Sequence, residues 1–168
     1  RTSFLLDRLG EAVFAPAITI VDDPFRARGL RSRPFDGEGL PVTAGKLVDQ
    51  GVLTTWLLDS ASALQLKVKP TGHASRGIGG APGVTTGNLH IEAGSVTPAE
   101  LMADIKDGVY VTDLMGHGLN PVTGDYSIGA SGFRITDGAL GEPVAEFTIA
   151  GNMKDILLDL VPASDLAF

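Results

Sequence analysis

The amino-acid sequence predicts an α+β fold, with mixed, mainly antiparallel sheets and a few packed helices. Three observations carry this. Strand-like segments cluster beside helical ones instead of alternating with them, which disfavours a doubly wound sheet. Asp137-Gly138 separates two β-favouring runs, Tyr126 to Thr136 and Leu140 to Ile149, and is a strong hairpin signal. Thr97-Pro98-Ala99-Glu100 is a helix start: Thr97 can cap the N3 amide, Pro98 suits the first helical position and Glu100 can reach back to the cap.

The remaining elements follow along the chain. Phe4, Leu5, Leu9, Val13 and Phe14 recur at helical spacing, so residues 3–14 predict an amphipathic helix, with Ser3 as N-cap and Pro16 as its stop. Ile18 to Val21 reads as a short strand ending in Asp22-Asp23-Pro24, whose paired carboxylates suit a turn or cap. Residues 24–45, rich in Arg, Gly and Pro, form an irregular connection. Leu47 to Leu58 predicts a turn at Gly51 followed by a strand. Asp59 then caps a helix to Leu66 with Ala61, Leu64 and Leu66 as candidates to face inward.

Residues 70–87 hold Gly72, Gly77, Gly79, Gly80, Gly83 and Gly87 together with Pro70 and Pro82. So much backbone freedom opposes regular structure. The stretch is a long loop, either a binding or lid segment or a mobile connection. Asn88 to Glu92 alternates like a strand. In the helix that starts at Thr97, Leu101, Met102 and Ile105 make the buried stripe and Gly108 is the C′ residue. Val109 to Leu114 is a strand, and Gly116, Gly118, Pro121 and Gly124 mark a second irregular loop. Asn152 caps a last helix with Met153, Ile156, Leu157 and Leu160 inward, closed by Pro162.

Composition bounds the function. The 168 residues suit a single domain, or one piece of a larger protein, and the start at Arg1 instead of Met favours the piece. A 43% hydrophobic content supplies a core, while only 6% is aromatic, so packing is aliphatic. The net charge of −7 repels phosphate and argues against direct nucleic-acid binding. Arg26, Arg28, Arg31 and Arg33 read as a solvated loop, with a phosphate or partner contact as the other reading. The absence of cysteine removes thiolate, disulfide and Cys-type zinc chemistry from this chain and fits a cytoplasmic setting. No apolar run reaches the roughly 20 residues a membrane span needs, so no membrane partner is expected.

No catalytic constellation emerges. His73, His90 and His117 fit neither H-x-x-x-H nor H-E-x-x-H, the spacings that put two imidazoles on one helical face. Gly39 to Lys46 is one residue too long for a phosphate loop, and Leu47 stands where Ser or Thr is required. Gly77-Ile78-Gly79 begins a dinucleotide pattern that Pro82 breaks. Ser131 lies in a strand, where packing is the better reading than nucleophile. Asp113 and Asp125 flank the second Gly-rich loop and are candidates to meet at its mouth.

Several ordered segments nonetheless share one likeness. They are Phe35-Asp36-Gly37-Glu38-Gly39, Lys46 to Leu58 with Gly51-Val52-Leu53, Pro70-Thr71-Gly72-His73-Ala74, Asn88-Leu89-His90-Ile91 and Gly108 to Asp113. Asn120 to Ser127, Ala130-Ser131-Gly132-Phe133 and Thr148-Ile149-Ala150-Gly151-Asn152 complete the set. In order and content they resemble the TldD/PmbA family, also labelled modulator of DNA gyrase, over nearly the whole chain. The resemblance implies the later region of a two-subunit peptidase of peptide maturation. Zinc in the TldD branch is held by an H-E-x-x-x-H helix and a late Cys, which would fall before Arg1 and after Phe168.

The Leu114 to Ser127 loop and the Ala150-Gly151-Asn152 turn resemble the PmbA (TldE) branch, which lacks the zinc motif and serves as a partner subunit. The expectation is therefore a non-catalytic region with no cofactor of its own. It shapes a peptide cleft and pairs with a zinc-bearing TldD-like subunit or as a homodimer. Two alternatives stand beside it: a zinc metalloprotease domain whose motif lies outside this chain, and a binding modulator of DNA gyrase. The cleft candidates are Asn88 and His90 on one rim, and Asp113, Gly116, His117 and Asp125 on the other.

Overall fold

A computed structural model describes residues 3–167. Nine strands and three short helices follow one another in the described residues: β1 (Ile20–Asp22), β2 (Gly45–Asp49), β3 (Val52–Leu53), α1 (Ser60–Leu66), β4 (Ala74–Ser75), β5 (Gly83–Val84), β6 (Leu89–Ile91), α2 (Pro98–Ala103), β7 (Asp107–Met115), β8 (Asp125–Thr136), β9 (Ala139–Asn152) and α3 (Met153–Ile156). They form a four-stranded sheet in the order β3-β2-β1-β6, a two-stranded ladder β4-β5 and a meander β7-β8-β9. Every ladder is antiparallel, and among the described residues the one parallel pairing is the bridge between Val96 and Ala163. The α+β expectation holds.

Residues 3–14 are not the expected helix. Their backbone makes only isolated turns, such as Leu6 N–H to Ser3 C=O and Arg8 N–H to Leu5 C=O. Gly10 then enters the left-handed region at φ 83°. From there Gly10 N–H donates to Leu53 C=O, Leu53 N–H to Glu11 C=O, and Val13 N–H to Gly51 C=O, so this segment covers the outer edge of β3. Most of the predicted apolar residues still turn inward: Val13 forms a core cluster with Val48 and Leu53, and Leu5 and Phe14 pack against it with Ile20, Leu47 and Trp56, but Leu9 is exposed. Competition for backbone partners chose a different conformation and left Leu9 in solvent.

The turn at Gly51 is present, but strands flank it on both sides and residues 54–58 are irregular. Gln50 (φ 47°) and Gly51 (φ 84°) both take positive φ, the requirement of a type I′ hairpin. A Cβ on Gly51 would meet Phe14 C=O at 2.5 Å, so close approach adds to the demand for glycine. Asp59 caps α1 as expected, accepting from Ser62 N–H, but the inward residue is Ala63, while Ala61, Leu64 and Leu66 are exposed.

Thr97 and Glu100 form the full capping box of α2. The helix ends at Ala103, well before the expected Gly108, and Leu101, Met102 and Ile105 are half-buried. Gly138 N–H donates to Ile105 C=O and Asp137 N–H to Lys106 C=O, so the Asp137-Gly138 hairpin draws the chain into β7 early. Asn152 caps α3 through Lys154 N–H as expected, but the helix stops at Ile156, far short of Pro162; Met153 and Ile156 are half-buried within it, and Leu157 and Leu160 are half-buried beyond its end.

Two irregularities face each other across the meander. β7 bulges at Thr112 and β9 at Ala145 and Glu146, both beside Ser131 of the central strand. Glu146 sits at φ 59°. Such paired bulges bend a sheet locally. A Cβ on Gly132 would collide with Tyr110 C=O, which explains the glycine there.

Candidate functional site

The four-stranded sheet has one open edge. β3 is covered by residues 10–13, whereas β6 has no further strand beyond it among the described residues. Asp23 N–H donates to Asn88 C=O and Glu92 N–H to Thr19 C=O, so the backbone groups of Asn88, His90 and Glu92 turn towards β1. Antiparallel alternation then points the N–H and C=O of Leu89 and Ile91 outwards. An extended segment laid beside β6 would meet these groups.

A cavity lies at each end of β6. One, about 640 Å³, is bordered by Arg26, His90, Ile91, Glu92 and the 166–167 segment. The other, about 260 Å³, is bordered by Leu30, Arg31, Thr86, Gly87, Asn88 and Leu89. Of the expected cleft residues, His90 lines the larger cavity, with Nδ1 3.1 Å from Asn88 C=O. Asn88 is 2% exposed. Its Nδ2 donates to Asp23 C=O (2.7 Å) and Ser32 Oγ (2.9 Å), and its Oδ1 accepts from Arg31 N–H (3.1 Å). Asn88 thereby locks the 24–33 loop over the end of β6, and a Cβ on Gly29 would meet Nδ2 at 2.6 Å.

The other four candidates sit on the meander. Asp113 lies opposite Ser131 and accepts from Thr112 Oγ1 at 2.9 Å. Asp125 begins β8, accepting from Thr123 Oγ1 at 2.6 Å and from Asn152 Nδ2 at 3.1 Å. Ser131 is six positions along β8 from Asp125, about 20 Å at strand rise, so the two carboxylates do not meet. Gly116 takes φ 94° directly after β7, and His117 follows it at the exposed loop.

Behind β6 lies a buried polar cluster. Asp22 and His73 are 2% and 7% exposed, with Asp22 Oδ2 2.8 Å from His73 Nε2. A carboxylate only accepts, so Nε2 carries the hydrogen. Gly87 N–H also donates to Asp22 Oδ2 at 3.1 Å. His73 Nδ1 lies 2.8 Å from Thr71 Oγ1, which in turn accepts from Leu58 N–H at 2.8 Å. The Thr-His-Asp order looks like an activated nucleophile, but the half-buried threonine hydroxyl is held against the Leu58 backbone and the other two groups are buried. The cluster clamps the 71–87 segment to β1.

That segment is accordingly not an unstructured loop: its base is clamped and β4 pairs with β5, leaving Arg76 to Ala81 as an exposed tip. Sequence reasoning treated His73 as isolated because its partner lies 51 residues away. The local signs were a histidine within a Gly-rich stretch and Asp22 closing a strand.

Asp36 holds the same region from the other side. It is 4% exposed and accepts from Glu38 N–H and Leu40 N–H at 2.9 Å each, and from Ala74 N–H at 3.1 Å. Burial alone would raise its pKa. The hydrogen bonds from Leu40, Ala74 and Glu38, with the charge of Arg33, outweigh that and hold it below the usual carboxylate range. Its stabilising contribution is therefore complete above the unfolded value of about 3.9 and is lost as pH falls through the lower folded value. Asp36→Asn is expected to remove this part of the acid sensitivity in denaturation midpoints compared between pH 7 and pH 3. An unchanged acid slope would contradict the assignment.

Among the described residues, no group of three or more His, Asp or Glu is arranged to hold a metal. No helix there is long and apolar enough to cross a membrane.

Comparison with known proteins places these features. The model of the PmbA/TldA metallopeptidase C-terminal domain matches residues 1–168. The chain is 40% identical over 161 residues to Metalloprotease PmbA of Escherichia coli O157:H7, covering 96% of this chain and 34% of that protein. It is 26% identical over 166 residues to a Metalloprotease TldD homolog of Haemophilus influenzae, covering 98% and 34%. Among solved structures, TldE from Thermococcus kodakarensis superposes with a TM-score of 0.81 at 30% identity, covering 92% of this chain and 35% of that one. A protein described as a proposed modulator of a DNA gyrase from Thermotoga maritima gives 0.84 at 34% identity, covering 98% and 38%. The chain thus spans about a third of the length of the relatives it matches.

Proposed function

The chain belongs to the PmbA/TldA metallopeptidase family, matching its C-terminal domain, and from that premise we propose that it is the non-catalytic region of a PmbA-branch subunit. It forms one wall of a peptide cleft in a cytoplasmic two-subunit peptidase. The zinc and the hydrolytic step belong to a TldD-like partner. Two likenesses support the branch: 40% identity to a PmbA protein against 26% to a TldD homolog, and the superposition on TldE.

The observation that carries the cleft reading is the open edge of β6 between its two cavities. An extended peptide pairs there through main-chain hydrogen bonds with Leu89 and Ile91, which suits unfolded substrates of varied sequence. Asn88 shapes the groove from behind and His90 lines it. The loop with Gly116 and His117, between Asp113 and Asp125, forms the opposing rim or the partner contact.

A labelled unfolded peptide titrated into the full-length subunit tests the pairing. N-methylation of one alternating set of peptide amides is expected to weaken binding about tenfold, as two lost hydrogen bonds of about 0.5–1.5 kcal/mol each imply. Methylation of the other set should leave it unchanged, and Ile91→Pro should reproduce the loss, since proline is tolerated on edge strands. Equal affinity of all forms would rule out pairing at β6.

A further inference from the structure

We propose that the β6 groove prefers extended peptides carrying an acidic side chain, and that Arg31 reads it. The inference rests on the peptide-cleft reading above and adds the charge that the cleft selects. Arg31 borders the 260 Å³ cavity next to Leu89, one of the two residues whose backbone faces the open edge.

Its position is fixed at both ends. The main-chain N–H donates to buried Asn88 Oδ1 at 3.1 Å, and Nη1 donates to Thr85 Oγ1 at 2.9 Å, just after β5. A guanidinium has five donor hydrogens, and Thr85 takes one of them. Arg31 is exposed and, among the described residues, forms no ion pair, although the chain carries a net charge of −7. Arg28 is exposed on the same loop. A cation held in place without a carboxylate beside it, at the mouth of a small cavity, matches the planar fork geometry of a carboxylate. The acidic chain as a whole disfavours a polyanion, so a single carboxylate on a peptide is the fitting ligand.

The test uses the full-length subunit and amidated, fluorescein-labelled peptides of alternating Val and Thr with one central Glu or Gln. A carboxy-terminal acid form of the Gln peptide separates a side-chain carboxylate from a terminal one. The Glu peptide is expected to bind about tenfold more tightly than the Gln peptide, with an advantage that shrinks as salt rises. Arg31→Ala should erase that advantage while leaving the Gln peptide within about twofold, because the Asn88 bond is to the main chain. Arg31→Lys should restore part of it. Equal binding of Glu and Gln peptides, or a Glu advantage that survives Arg31→Ala, overturns the proposal while peptide binding itself stands. A preference confined to the acid-terminal peptide overturns it in favour of end recognition. If no peptide binds, the cleft reading fails and this inference with it.

Discussion

Asp22→Ala is expected to destabilise the domain by about 3–5 kcal/mol, a large share of the roughly 5–15 kcal/mol that holds a typical domain together. The carboxylate is 2% exposed, and its Oδ2 receives both His73 Nε2–H and Gly87 N–H. Removing it strands two buried donors and leaves the imidazole without its partner. Among the described residues both hydrogen bonds to the carboxylate go to Oδ2, and none to Oδ1.

Asp22→Asn keeps the shape and one acceptor and should cost less than Asp22→Ala. Urea midpoints of the full-length protein and both variants decide the matter. A shift below about 1 kcal/mol for Asp22→Ala would mean that the clamp does not hold the 71–87 segment. The consequence reaches the site, because Gly87 leads directly into Asn88 and β6. Loss of the clamp should therefore also weaken peptide binding.

What the sequence revealed, and what it hid, follows from the range of each interaction. Signals that close within a few residues were legible. The Thr97–Glu100 box, the Asn152 and Asp59 caps, and the Asp137-Gly138 turn are all where local chemistry puts them. The segment at 3–14 failed because its amides found partners on β3, some 40 residues away, and periodicity cannot see a competitor for the same hydrogen bonds. Gly108 looked like a helix stop, yet the hairpin at 137–138 ended the helix sooner.

The site divides in the same way. The edge strand was legible from alternation, and His90 does face a cavity. Asn88, a cleft candidate in the sequence, is buried and spends its side-chain hydrogen bonds on the loop behind the groove. The Asp22–His73 clamp and the fixing of Arg31 by Thr85 join residues more than 50 positions apart, and neither leaves a local pattern. Arg31 read as one more solvated arginine until its neighbours were known.

The central claim is that this region serves a subunit that gains peptidase function through a partner. Hydrolysis needs an activated nucleophile; no sequence motif supplies one, and in the Thr71-His73-Asp22 chain the half-buried hydroxyl is engaged with the Leu58 backbone. The direct measurement is cleavage of an unfolded peptide by the full-length subunit alone, by a TldD-like protein alone, and by the two mixed, in zinc-supplemented buffer. The account predicts cleavage by the mixture at least about a hundredfold faster than the sum of the separate proteins, a gain modest beside those that catalytic sites provide. Robust cleavage by the full-length subunit on its own would contradict it and identify the protein as a metalloprotease in its own right.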